Sequence, residues 1–79
     1  MSVYKILNEM RKKVNAAPRN GYIAELHLQV IKYAAELKDL TGKEFCEAME
    51  IGPAFGTEFS KMRKISERLK KAGLDVTKI

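Results

Sequence analysis

The stretch MEIGPAFGTEFSKMRK, Met49 to Lys64, constrains the fold more than any other part of this chain. Gly52-Pro53 stops a helix, because proline lacks a backbone N–H and biases the preceding residue away from helical angles. Apolar residues at helical spacing nevertheless resume at once, with Phe55, Phe59 and Met62. Two helices are therefore joined by only about three residues. Such a joint fixes the angle between its helices and is too tight for long antiparallel neighbours.

The remaining segments read as helices too. Val3, Ile6, Leu7, Met10 and Val14 lie at helical spacing behind Ser2, a suitable N-cap. Pro18 and the turn dipeptide Asn20-Gly21 interrupt. A second helix of roughly five turns is expected from the stripe Ile23, Leu26, Val30, Ala34 and Leu37, widened by His27, Ile31 and Ala35. Thr41 and Glu44 have capping-box spacing, which starts a third helix of about two turns. It turns Phe45, Ala48 and Met49 inward, with Cys46 beside them.

The fourth helix is expected from about Pro53 or Ala54 to about Ala72, with Phe55, Phe59, Met62, Ile65, Leu69 and Ala72 as its apolar stripe. Gly73 suits a left-handed C-cap, and Lys70 and Lys71 oppose the helix dipole favourably. In the tail LDVTKI, Val76 and Ile79 are read as spaced for a short edge or dimer contact. The expected class is all-α: a compact four-helix domain over residues 1–79 that contains a helix-turn-helix.

Composition excludes several functions. The chain has 79 residues, one cysteine (Cys46) and one histidine (His27), so no internal disulfide and no Cys/His metal cage can form. No apolar run approaches the ~20 residues of a membrane span, and the N-terminus lacks the apolar core of a signal peptide. A cytoplasmic protein is expected. A chain this small buries only about 60% of its unfolded surface, which favours support from a homodimer. The net charge of +5 is unevenly spread. Residues 1–20 carry +4, residues 21–60 carry −4 and residues 61–79 carry +5. Basic ends of this kind suit a polyanion.

A short capped helix, a tight turn and a longer basic helix is the arrangement in which the second helix enters the major groove. That helix needs an apolar face to hold it and an outward face free of acid. At 100° per residue, Thr57, Ser60, Lys61, Lys64, Arg68 and Lys71 share an arc without a carboxylate. The four basic residues repeat at spacings of three, four and three. Lys61, Lys64, Arg68 and Lys71 are assigned to phosphates, and Thr57, Ser60 and Lys61 to bases. Gly56 is read as leaving room for a phosphate near the helix start. Glu58, in the first turn, would repel one unless it pairs within the chain.

TGKEFCEAMEIGPAFGTEFSKMRKI (Thr41 to Ile65) resembles the helix-turn-helix superfamily, and FGTEFSKMRKI is similar to the core of small bacterial and phage helix-turn-helix-like domains. The resemblance covers about the C-terminal half. It implies DNA binding, with Thr57, Ser60, Lys61 and Lys64 at recognition-helix positions. Two departures stand out. Glu50 occupies the place of the usual turn glycine, and the small residue of the first helix is Cys46 or Ala48.

The resulting expectation is a sequence-specific double-stranded DNA-binding protein, a transcriptional regulator acting as a homodimer. The competing reading is a helical adaptor or inhibitor of plasmid or phage origin that meets an acidic protein through the same stripe. An enzyme is not expected. His27 and Cys46 have no partners for a triad, and no cofactor, metal or small-molecule substrate is implied. The cluster Arg11, Lys12, Lys13 with Arg19 is a candidate second phosphate contact or simply a basic helix end.

Overall fold

The computed structural model describes residues 2–79. Its α-helices are α1 (Val3–Ala16), α2 (Tyr22–Tyr33), α3 (Gly42–Met49) and α4 (Phe55–Lys71). Single 3-10 turns lie at Arg19–Gly21 and Val76–Lys78, and there is no strand among the described residues. The all-α, four-helix expectation therefore holds.

Helix starts follow the local chemistry. The Ser2 hydroxyl accepts from the Lys5 N–H at 3.3 Å and opens α1. At α3 both halves of the capping box form: the Thr41 hydroxyl accepts from the Glu44 N–H at 3.1 Å. The Glu44 carboxylate accepts from the Thr41 N–H at 2.9 Å. Each bond satisfies a donor that a first turn otherwise leaves bare.

The second helix is shorter than its apolar pattern suggests. Regular helix stops at Tyr33, and residues 34–39 continue as turns, with Leu37 N–H reaching the Tyr33 carbonyl at 3.1 Å. Ala34 and Leu37 stay buried all the same. The pattern recorded burial correctly, and the backbone reached it by looser turns. The tail is a 3-10 turn rather than an extended edge.

One core gathers all four helices. Ile6, Leu7, Met10 and Val14 of α1 meet Leu26 and Val30 of α2, Leu37 of the turns that follow it, Phe45 and Met49 of α3, and Phe59 of α4. Phe45 and Phe59 stack at 4.3 Å between ring centroids, pinning α3 against α4. Cys46 of α3 is buried too, and burial pushes its thiol pKa up.

The α3–α4 joint closes without the usual glycine. Glu50 takes left-handed angles, φ 59 and ψ 44, and caps α3. The Ile51 N–H then reaches back to the Cys46 carbonyl at 3.0 Å, as in a left-handed helix stop. A residue with a Cβ pays roughly 1 kcal/mol or more there. Arg11 of α1 holds the Glu50 carboxylate at 2.9 Å, which anchors the strained residue to the rest of the fold.

Candidate nucleic-acid interface

Helix α4 is seated by a face rotated from the one expected. Phe59 and Ser66 are fully buried, with Phe55, Met62 and Arg63 half-buried around them. Ile65 and Leu69, expected to be core, are 44% and 38% exposed, and Ala72 is exposed. The reason is polar. Ser66 donates its hydroxyl hydrogen to the Ile31 carbonyl at 2.8 Å. A small hydroxyl fits this α2–α4 contact, where the backbones approach closely, and the branched side chains fall outside it.

Arg63 is the second inward anchor. Its Nη1 donates to the carbonyls of Leu37, Lys38 and Leu40 at 3.2, 3.0 and 3.1 Å. Its guanidinium also lies 4.6 Å from the Phe59 ring centroid. One side chain therefore satisfies the carbonyls left bare where the chain turns out of α2 and fastens that turn to α4.

With these anchors fixed, the opposite face of α4 is decided. Thr57, Lys61, Lys64, Arg68 and Lys71 are all exposed on it. Ser60 is half-buried at the edge of that face, where it lines an open groove instead of pointing outward. Lys64, Arg68 and Lys71 form no ion pair among the described residues, and Lys61 Nζ lies 3.8 Å from Glu58. An exposed pair of this kind is worth about 0–1 kcal/mol and yields readily to a phosphate.

Glu58 is drawn aside. Its carboxylate lies 3.4 Å from His27 Nε2, while His27 Nδ1 sits 2.8 Å from the Ile23 carbonyl. With Nδ1–H donating to that carbonyl, a hydrogen bond to Glu58 requires a second proton on Nε2. The His27 ring also meets Phe55 edge-on at 5.2 Å. The histidine thus braces the start of α4 against α2.

Two expectations near the site change. The space at Gly56 does not open to a phosphate, because Gly42 of α3 fills it: a Cβ on Gly56 would lie 3.5 Å from the Gly42 carbonyl carbon. In the N-terminal basic cluster Arg11 is engaged with Glu50 at 2.9 Å, while Lys12 makes only a loose exposed pair with Glu9 at 3.7 Å. One basic residue that the sequence reading passed over also lies beside α4. Lys38, from the turn after α2, lines the groove beside α4 together with Lys64 and Lys70. No local pattern marks Lys38, because its position depends on the Arg63 clamp.

Groups of three or more metal-ligating side chains do not occur among the described residues. No helix among them is long and apolar enough to cross a membrane. The geometry left is a short capped helix, a tight left-handed joint and a long helix with one carboxylate-free basic face. No curated protein and no solved structure matches the chain. A family model described as HTH-like domain matches residues 2–72, nearly the whole chain, including α1 and α2 as well as the helix pair. By that match, and in keeping with its all-α architecture, the chain belongs to the HTH-like domain family.

Proposed function

We propose that residues 1–79 act as one domain that binds double-stranded DNA sequence-specifically and regulates transcription as a homodimer. Family membership suggests DNA binding. The observation that carries the finer reading is the exposed face of α4, where Thr57, Lys61, Lys64, Arg68 and Lys71 stand opposite the buried Phe59 and Ser66. Lys61, Lys64, Arg68 and Lys71 neutralise phosphates, and Thr57, nearest the helix start, reaches base edges with Lys61. Ser60, at the edge of the face, meets the flanking backbone or a base beside it.

The homodimer is supported by two considerations. A single module of this kind buries only ~600–1,000 Å² on DNA, which limits affinity. Ile23, Leu28, Ile65 and Leu69 are large apolar side chains left exposed on α2 and α4. In a dimer suited to DNA the two α4 helices would stand about 34 Å apart, one duplex turn.

The deciding experiment is a mobility shift against random duplex pools at ~50 mM salt, repeated at rising salt. Binding that weakens steeply with salt, together with enrichment of one sequence after selection, is the expected result. Absence of any duplex binding at low salt would remove the regulator reading. Capture of an acidic protein by the same face would then support the adaptor alternative.

A further inference from the structure

An open groove of about 670 Å³ runs along the flank of α4, between that helix and the turn that follows α2. Lys38 lines it from the turn, and Lys64, Lys70 and the inward-bound Arg63 line it from α4, with Ser60 on the same wall. Glu67 is the one carboxylate on its lining. None of these five charged groups takes part in an ion pair among the described residues. Three lysines and Arg63, against the single carboxylate of Glu67, thus line one channel from two separate segments of the chain.

The backbone at Lys38 is held in place. Arg63 binds the Lys38 carbonyl itself at 3.0 Å and the carbonyls of Leu37 and Leu40 on either side. The Lys38 backbone therefore cannot drift from α4 without breaking three charge-assisted hydrogen bonds. The groove also adjoins the exposed face of α4, since Lys64 belongs to both and Ser60 lies at their shared edge.

We propose that this groove is a phosphate track: it seats the sugar-phosphate backbone of one DNA strand beside the major groove that α4 enters, with Lys38 as its contact from outside the helix pair. The inference rests on the DNA-binding reading and adds a strand-positioning surface to it. Charge complementarity and adjacency to the α4 face select a duplex backbone over a free anion, which would not need the second surface.

The test compares Lys38→Ala with Lys5→Ala in the full chain on one preferred duplex and one random duplex. Lys5 is an exposed lysine in the first turn of α1 and loses the same charge. Lys38→Ala should weaken both duplexes several-fold and equally, and should lower the slope of log affinity against log salt by about 1. Lys5→Ala should leave that slope unchanged. If wild type binds and the two variants share one slope, the track is wrong while DNA binding stands. If wild type binds no duplex, the underlying reading fails first. Inorganic phosphate or an acidic peptide protecting Lys38 from amine acetylation, with duplex giving no protection, would overturn the assignment in favour of that other ligand.

Discussion

Gly42 and Gly56 meet backbone to backbone where the first turns of α3 and α4 cross. A Cβ built on Gly42 would lie 2.8 Å from both the Cα and the carbonyl oxygen of Gly56. A Cβ on Gly56 would come no nearer to Gly42 than 3.5 Å, an ordinary contact. The pair is therefore asymmetric. Gly42→Ala should destabilise the fold by about 1–3 kcal/mol through overpacking, because a backbone cannot move aside as a side chain can. Gly56→Ala should be neutral or stabilising by up to about 1 kcal/mol, from the better helix propensity of alanine. Urea denaturation of the two variants checks this, and equal losses would show that the crossing is looser than described.

Neighbouring basic residues on α4 should fail in opposite ways. Arg63→Ala removes three hydrogen bonds to carbonyls and the contact with Phe59, and should cost about 2 kcal/mol of stability. Lys64→Ala touches nothing in the core and should leave the unfolding midpoint almost unchanged. Under the proposed function it should weaken every duplex alike, whereas Thr57→Ala should act mainly on the preferred sequence. Thermal melts paired with binding isotherms separate these effects. A Lys64 variant that unfolds early but binds normally would contradict the assignment.

Cys46 should be protected while the chain is folded. Burial raises its thiol pKa above the ordinary value of 9.0, which lowers the thiolate fraction and blocks access together. Alkylation by iodoacetamide at mildly alkaline pH should therefore be slow in the native protein and fast in denaturant. The linked stability term is present below the unfolded thiol pKa and is lost as pH rises through the raised folded value. A native rate matching the denatured rate would show an accessible thiol.

Asp75 should titrate low. The Thr77 hydroxyl donates to its carboxylate at 2.6 Å and the Thr77 N–H at 3.0 Å, and both bonds hold its pKa below the ordinary 3.8. The stabilisation of this C-terminal turn is present above the unfolded pKa and disappears as pH falls through the lowered folded one. Carboxyl-carbon NMR should show the low midpoint, and Thr77→Val should move it partway back. An unchanged midpoint in that variant would assign the shift to the backbone bond alone.

Local chemistry made much of the fold legible in the residues. Ser2, the Thr41–Glu44 box, Pro18, Gly52-Pro53 and Gly73 act within a few residues of themselves, and all mark boundaries of the elements observed. Gly73 takes the positive φ expected of it, 108°. The basic run on α4 was legible for the same reason, since spacing along a single helix places Thr57, Lys61, Lys64, Arg68 and Lys71 together. Helical spacing does not say which side of a mixed stripe is buried, and there the reading missed. Ile65 and Leu69 carry more apolar surface than Ser66, yet Ser66 is the residue inside.

The sequence by itself determined that this chain is four helices with a tight joint before a basic one, because caps, breakers and periodicity are short-range effects. Tertiary structure decided how α4 is rotated, through Ser66 on Ile31 and Arg63 on the turn after α2. It also decided that Glu50 holds a left-handed angle beside Arg11, that Gly56 faces Gly42, and that Lys38 lines the same groove as Lys64. Each of these joins residues far apart in the chain. Close backbone approach and carbonyls in need of donors arise only once the helices pack, so no local pattern announces them.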